Sequence, residues 1–346
     1  MEFSAKVKQL QAESVLFRGH ADVYEMVQRA LNGEKAPIFD SWFPRLSRAG
    51  VDVVVMAVSG DSPTHRNGDM RCLHGAMKIW DQILSEIEEN PQIEIIRTPE
   101  DVPEKPDGKL RFVLTLEGGL PLEGQLAHLR NFYRMGMRLL QPTHNLRNEL
   151  ADGGFEEGTH GGLSRFGVQV VEECNRLGIV VDLAHLSEAG FWQTLEASKK
   201  PVIVSHGNAK AVCPHRRNLT DEQLRAIADQ KGIVGLLYLP NYLHDGPPTV
   251  EGLLKMAQYM LDKVGPDCVA VGHLGLDKDI VNCFQPITAG VYAGYRKMLN
   301  QYTGGGVDDE EQYGALIDGL LKMGLSDREV RAVLGGNWAR VLKANL

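Results

Sequence analysis

The clearest pattern along the chain is a short β-branched apolar run that ends on a polar residue and is followed by a helix-length stretch. It is sharpest between residues 179 and 218. Ile179-Val-Val-Asp-Leu-Ala leads to His185, and Pro201-Val-Ile-Val-Ser leads to His206. Such runs suit strands buried on both faces, as in a parallel sheet. Between them, residues 187–198 have the length and composition of a crossover helix, with Ser187 as its N-cap. His185 and His206 therefore fall at the C-terminal ends of adjacent parallel strands. That edge is where α/β sheets and barrels bind ligands.

The alternation extends over most of the chain. A leading helix over 1–12 precedes strands at 14–18, 51–58, 110–116 and 137–142, the pair just described, and strands at 232–239 and 268–271. Helices are predicted over 70–89, 122–135, 163–177, 220–229 and 250–264, and the tail reads as helix over 310–323 and 326–344. Residues 93–96 read as a small extra strand. Residues 147–162 form a polar, glycine-rich loop of functional length. Eight strands with helices between them predict an α/β fold of the (β/α)8, TIM-barrel type with extra terminal helices, as one domain over 1–346. A doubly wound sheet would place a glycine-rich phosphate loop after the first strand, where this chain has His20-Ala-Asp22.

Composition narrows the function. At 346 residues and 43% hydrophobic, the chain can fill a large core. A net charge of −8 with no basic block argues against a nucleic-acid partner. Five scattered cysteines without a Cys-x-x-Cys pair fit a reducing compartment. No apolar run has signal-peptide or membrane-spanning character. The expectation is a soluble cytoplasmic protein with no membrane partner; the sequence leaves oligomeric state open, and a homodimer is compatible with it.

The strand ends carry the chemistry. They hold His20 and Asp22, Glu117, His144, His185 and His206. Imidazole and carboxylate together suit a divalent metal, and a barrel brings all its strand ends to one mouth. His-x-Asp puts both side chains on one face of a strand, so one metal can take both. Glu117 has two oxygens with which to bridge to a second metal completed by His185 and His206. Two metals roughly 3.5–4 Å apart would share a water and turn it into hydroxide near neutral pH. Singly, each residue has an ordinary structural explanation; their joint occurrence at five strand ends does not.

The ordered set of motifs resembles the renal (membrane) dipeptidase family of dizinc peptidases, among the amidohydrolase-type barrels. It comprises Gly19-His-Ala-Asp22, Leu116-Glu-Gly-Gly119, Thr143-His-Asn145, Asp182-Leu-Ala-His185, Ser205-His206 with Cys213-Pro-His-Arg-Arg-Asn218, and Gly335-Gly-Asn-Trp-Ala-Arg-Val-Leu342. The resemblance implies a dizinc dipeptidase in which His20 and Asp22 bind one Zn2+, Glu117 bridges, and His185 and His206 bind the other. It also implies that His144 and Arg217 bind the dipeptide substrate and that a D-residue is tolerated at its C-terminal position. A guanidinium suits the dipeptide carboxylate, to which it makes two parallel hydrogen bonds.

One departure stands out. The family ends its eighth strand in Gly-Ser/Thr-Asp, whose aspartate carries the proton to the leaving amine. This chain reads Gly272-His-Leu-Gly-Leu-Asp277. An ungapped match puts Leu274 at the aspartate's place, and a short insertion puts Asp277 there. Asp277 is the expected catalytic residue, with His273 as the other proton carrier. Two other functions stay open: a different amide or lactone hydrolase on the same site and, because of this departure, a non-catalytic metal-binding relative.

Overall fold

In the computed structural model, residues 2–22, 29, 32–61, 72–156, 161–239, 241–246, 248–274 and 309–346 are described. Within them, β1 (Leu16–Asp22), β2 (Val51–Gly60), β4 (Leu110–Glu117), β5 (Met137–Gln141) and β6 (Val180–Val181) pair in parallel, in that order. A second parallel arc holds β7 (Ile203–Val204), β8 (Ile233–Leu237) and β9 (Val269–His273). The arcs meet where Asp182 bridges to Ile203 and the Leu183 N–H donates to the Ile203 carbonyl at 2.7 Å. β9 packs back against β1. The ring is a (β/α)8 barrel, and the small strand β3 (Ile93–Ile95) pairs with β4 outside it.

The near-continuous apolar runs are explained by burial on two sides. Val53, Val55, Val113, Leu139, Ile203 and Ile233 belong to the cluster inside the barrel. Val54, Met56, Leu114, Leu116 and Leu140 belong to the larger cluster between strands and helices. Each such side chain contributes roughly 1.5–3 kcal/mol on full burial, so neither face of a strand can turn polar cheaply until the strand ends.

The helices are α1 (Ala5–Glu13), α2 (Phe43–Ala49), α3 (Leu73–Glu89), α4 (Leu126–Arg134), α5 (Arg165–Leu177), α6 (Glu188–Ala197), α7 (Asp221–Asp229), α8 (Val250–Val264), α9 (Asp309–Lys322), α10 (Asp327–Arg331) and α11 (Asn337–Asn345). Their starts carry the expected chemistry. The Ser187 hydroxyl accepts from the Gly190 N–H, Thr220 forms a capping box with Gln223, and Ser326 forms one with Glu329. Among the described residues, no helix is long and apolar enough to cross a membrane.

The structure differs from the sequence reading in two informative places. β1 runs on through His20 to Asp22, so both lie on the strand itself, past an irregularity between Arg18 and Ala21. The stretch 326–344, predicted as one helix, is broken: α10 passes through a wide π-helical turn, Ala332–Gly336, into α11. That redirection puts Trp338 under the barrel. Its ring stacks on Phe17 at 6.1 Å and its Nε1–H donates to the Val271 carbonyl at 2.7 Å. With this end plugged, the opposite mouth, where the strands end, is left for chemistry.

Candidate metal centre

Glu117, the last residue of β4, lies at the centre of the mouth. Its Oε1 is 3.4 Å from His20 Nε2, 3.2 Å from His185 Nε2 and 3.9 Å from His144 Nε2. On β1, Asp22 Oδ1 lies 3.7 Å from His20 Nε2. The His185 and His206 Nε2 atoms are 2.8 Å apart. Two groups of potential ligand atoms share the glutamate: His20, Glu117 and His206, and Glu117, His144 and His185. The structure thus brings together all five residues expected to hold metal, with His144 beside them. His206 falls in one group with His20, while its Nε2 also lies 2.8 Å from that of His185.

The surrounding contacts fix how the imidazoles present themselves. His185 Nδ1 meets Asn145 Oδ1 at 2.8 Å, and His206 Nδ1 meets Ser205 Oγ at 2.8 Å. An amide oxygen can only accept, so His185 Nδ1 carries the proton and Nε2 has its lone pair turned inward. His185 also has φ 72°, a left-handed conformation uncommon for a residue with a side chain. The Gly154 N–H, donating to its carbonyl at 2.6 Å, helps to hold it there.

Charge is arranged to match. Burial, reinforced by the Arg217 cation, holds His185 well below the usual histidine range. Burial, with His20 and Arg217, does the same for His206. Both are therefore neutral near pH 7, the form that binds metal. Burial also pulls His20 down, but Glu117 and Asp22 outweigh it and leave it raised. Burial pushes the Asp22 carboxyl up, yet the His20 and His273 imidazoles beside it, each 3.7 Å away, hold it below the usual carboxylate range.

The donor set fits a divalent cation. The His185 Nε2 lone pair and His206 Nε2 converge to 2.8 Å. That spacing is close to the ~3 Å that two ligands of one cation adopt with bonds of ~2.0–2.1 Å. His20 Nδ1 finds no hydrogen-bond partner among the described residues, which leaves its Nε2 as the atom aimed at Glu117.

Around these ligands stand the other expected residues. Arg217 is buried, yet no carboxylate among the described residues pairs with it; among them its guanidinium makes one hydrogen bond, a long one from Nη2 to the His206 carbonyl at 3.5 Å. His144 is buried with its ring 4.4 Å from that of His185. His273 ends β9 with Nε2 3.7 Å from Asp22 Oδ2, and burial pulls it down to about 4. Leu274 is buried, and Asp277 lies outside the described residues.

Sequence reasoning missed three residues here. Asp182 is fully buried, its Oδ1 accepting from the Ala184 N–H at 3.0 Å and the Ser205 N–H at 2.9 Å. It thereby ties the two histidine-bearing segments to each other. Asn145 orients His185. Asp61, just beyond β2, accepts from the turn that follows Glu117. Asp182 and Asn145 sit inside motifs already singled out for their histidines. Asp61 offered only its place at the end of a buried strand.

The comparisons with known proteins agree with this architecture. The model of the membrane dipeptidase family (peptidase family M19) matches residues 4–279. Dipeptidase verJ of Clonostachys rogersoniana is 33% identical over 236 residues, 68% of this chain and 55% of that protein. An uncharacterised protein in the pqqA 5' region of Klebsiella pneumoniae is 30% identical over 247 residues, 68% of this chain and 83% of that one. The chain spans about half the length of several relatives it matches, verJ and aclJ among them (55% and 51%). Among solved structures, an amidohydrolase from Pseudomonas aeruginosa superposes with TM-score 0.78 at 25% identity, covering 98% of each chain. A metallo peptidase from Rhodobacter sphaeroides, liganded with a phosphinate mimic of the dipeptide L-Ala-D-Ala, gives 0.79 at 23% identity, covering 96% of this chain and all of that one (100%). On its motifs, its barrel and the family match, this chain belongs to the membrane dipeptidase family, peptidase family M19.

Proposed function

We propose that the protein is a metal-dependent dipeptidase with two Zn2+ held by His20, Asp22, Glu117, His185 and His206, Glu117 bridging. The observation that carries the reading is the convergence of these ligand atoms around Glu117, beside a buried Arg217 that has no carboxylate partner among the described residues. When bound, the metals lower the pKa of a water to near neutrality and polarise the scissile carbonyl. Arg217 holds the C-terminal carboxylate of the dipeptide through paired, charge-assisted hydrogen bonds. His144 donates to the oxygen on which charge develops. Asp182 and Asn145 keep the His185 and His206 rings in place while the substrate turns over.

Expelling an amine requires a proton at its nitrogen. The segment from His273 to Asp277 supplies it, through Asp277 or, as the alternative, through His273 next to Asp22. A D-residue at the C-terminal position is accepted. The Rhodobacter sphaeroides metallo peptidase of the same fold, crystallised with an L-Ala-D-Ala mimic, supports that part of the reading.

A second reading follows if the ungapped match holds and the buried Leu274 takes the place of the family's aspartate: the same centre cleaves another amide or a lactone. Turnover of a dipeptide library that includes D-residues, with zinc added, separates the two. The dipeptidase reading expects hydrolysis of free dipeptides and little hydrolysis of dipeptide amides. Equal turnover of acids and amides favours the second reading.

A further inference from the structure

We infer that Asp61 is a positioning residue that holds Glu117 and His144 in place at the metal centre. The inference rests on the metal reading above, since those are the groups it orients. Asp61 is buried just beyond β2 and reaches three segments of the mouth. Its backbone N–H donates to the Glu117 carbonyl at 2.9 Å. Its Oδ1 accepts from the Leu120 N–H at 2.8 Å, in the turn that follows Glu117. Its Oδ2 accepts from Asn148 Nδ2 at 2.6 Å and from the His144 N–H at 3.4 Å.

The fit is tight on both sides. Gly118 has φ 113°, and a Cβ there would stand 2.1 Å from Asp61 Cγ. Gly60 has φ 154°, and a Cβ there would stand 2.0 Å from the Glu117 carbonyl oxygen. Backbone can approach this closely only without side chains in the way. Asn148 extends the connection: it donates to the Pro142 carbonyl at 2.7 Å and accepts from the Leu150 N–H at 2.7 Å. One carboxylate therefore sets the glutamate's turn, the backbone of His144 and the root of the loop that follows it.

Both carboxylate oxygens are needed as acceptors. Asparagine has only one, so an Asp61→Asn change points an NH2 group at either the Leu120 N–H or the Asn148 NH2. A buried mismatch of that kind displaces its neighbours rather than leaving the shape intact. A group that only supported the fold would lower stability and leave metal affinity unchanged. A positioning group changes the affinity and geometry of the centre itself.

The test is Co2+ binding by competition with a chelator, together with the visible spectrum of the Co2+ form. It compares the unaltered chain with Asp61→Asn, Asn148→Ser and, as reference, Glu117→Gln. Asp61→Asn is expected to bind about 10- to 100-fold more weakly, the range for groups that orient metal ligands, with an altered spectrum. Asn148→Ser is expected to change both in the same direction by less, and it decides the matter if Asp61→Asn does not fold. Wild-type affinity and spectrum in the Asp61 and Asn148 variants, with Glu117→Gln impaired, overturn this inference alone. Wild-type behaviour in all three overturns the metal reading, and the inference with it.

Discussion

Arg217 shows most clearly what a residue's surroundings add to its identity. As Arg216-Arg217 in a loop, it reads as an ordinary solvated pair. In the fold it is buried beside His206 with no carboxylate partner among the described residues, a state that a bound carboxylate relieves. Arg217→Met is therefore expected to raise KM for free dipeptides about 10- to 100-fold, since hydrogen bonds to charged groups contribute ~1.5–3 kcal/mol. Metal content should be unchanged. Steady-state kinetics and metal analysis on the same preparation check this, and an unchanged KM would remove Arg217 from the substrate site. The gathering of His20, Asp22, Glu117, His185 and His206 at one mouth was legible beforehand, because a barrel brings the ends of its strands together. Asp61 was not. Nothing in its own neighbourhood shows that Leu120, His144 and Asn148 will gather round it from distant parts of the chain.

At the scale of elements, helix starts were read more accurately than strand lengths. Caps are local: Ser187, Thr220 and Ser326 mark their helices within a few residues. Strand length depends on neighbours. β6 and β7 stop after two residues each because the chain turns at Asp182 and Ser205, which bond to each other across the seam. Contacts between elements were also hidden. Glu86 of α3 accepts from the Phe39 N–H at 2.6 Å at the π-helical turn Ile38–Trp42, and burial pushes its carboxyl up to about 7. Its folded-state pKa is raised, so its contribution is fully present below about pH 4.5 and is lost as pH rises through about 7. Glu86→Gln should remove this loss. Melting temperatures of the two proteins are expected to move apart in favour of Glu86→Gln between pH 5 and about pH 8. Parallel profiles would show that the carboxyl is already charged across that range.

The whole molecule is a barrel plugged at one end and chemically equipped at the other. The plug was visible in sequence only as a motif, Gly335 to Leu342; its place under Phe17 follows from the break between α10 and α11. Trp338→Ala should cost about 3–5 kcal/mol, the range for removing a large buried aromatic side chain, and it leaves the Val271 carbonyl without its donor. Urea denaturation measures this, and a loss under ~1 kcal/mol would mean that the barrel closes without it. At the other end, the account depends on two metals in one centre. Crystals of the zinc-loaded protein, with diffraction recorded on both sides of the zinc absorption edge, test that most directly. The expected result is two anomalous peaks per chain, one on each side of Glu117 and within bonding distance of His20, Asp22, His185 and His206. A single peak, none, or peaks away from those side chains would contradict it.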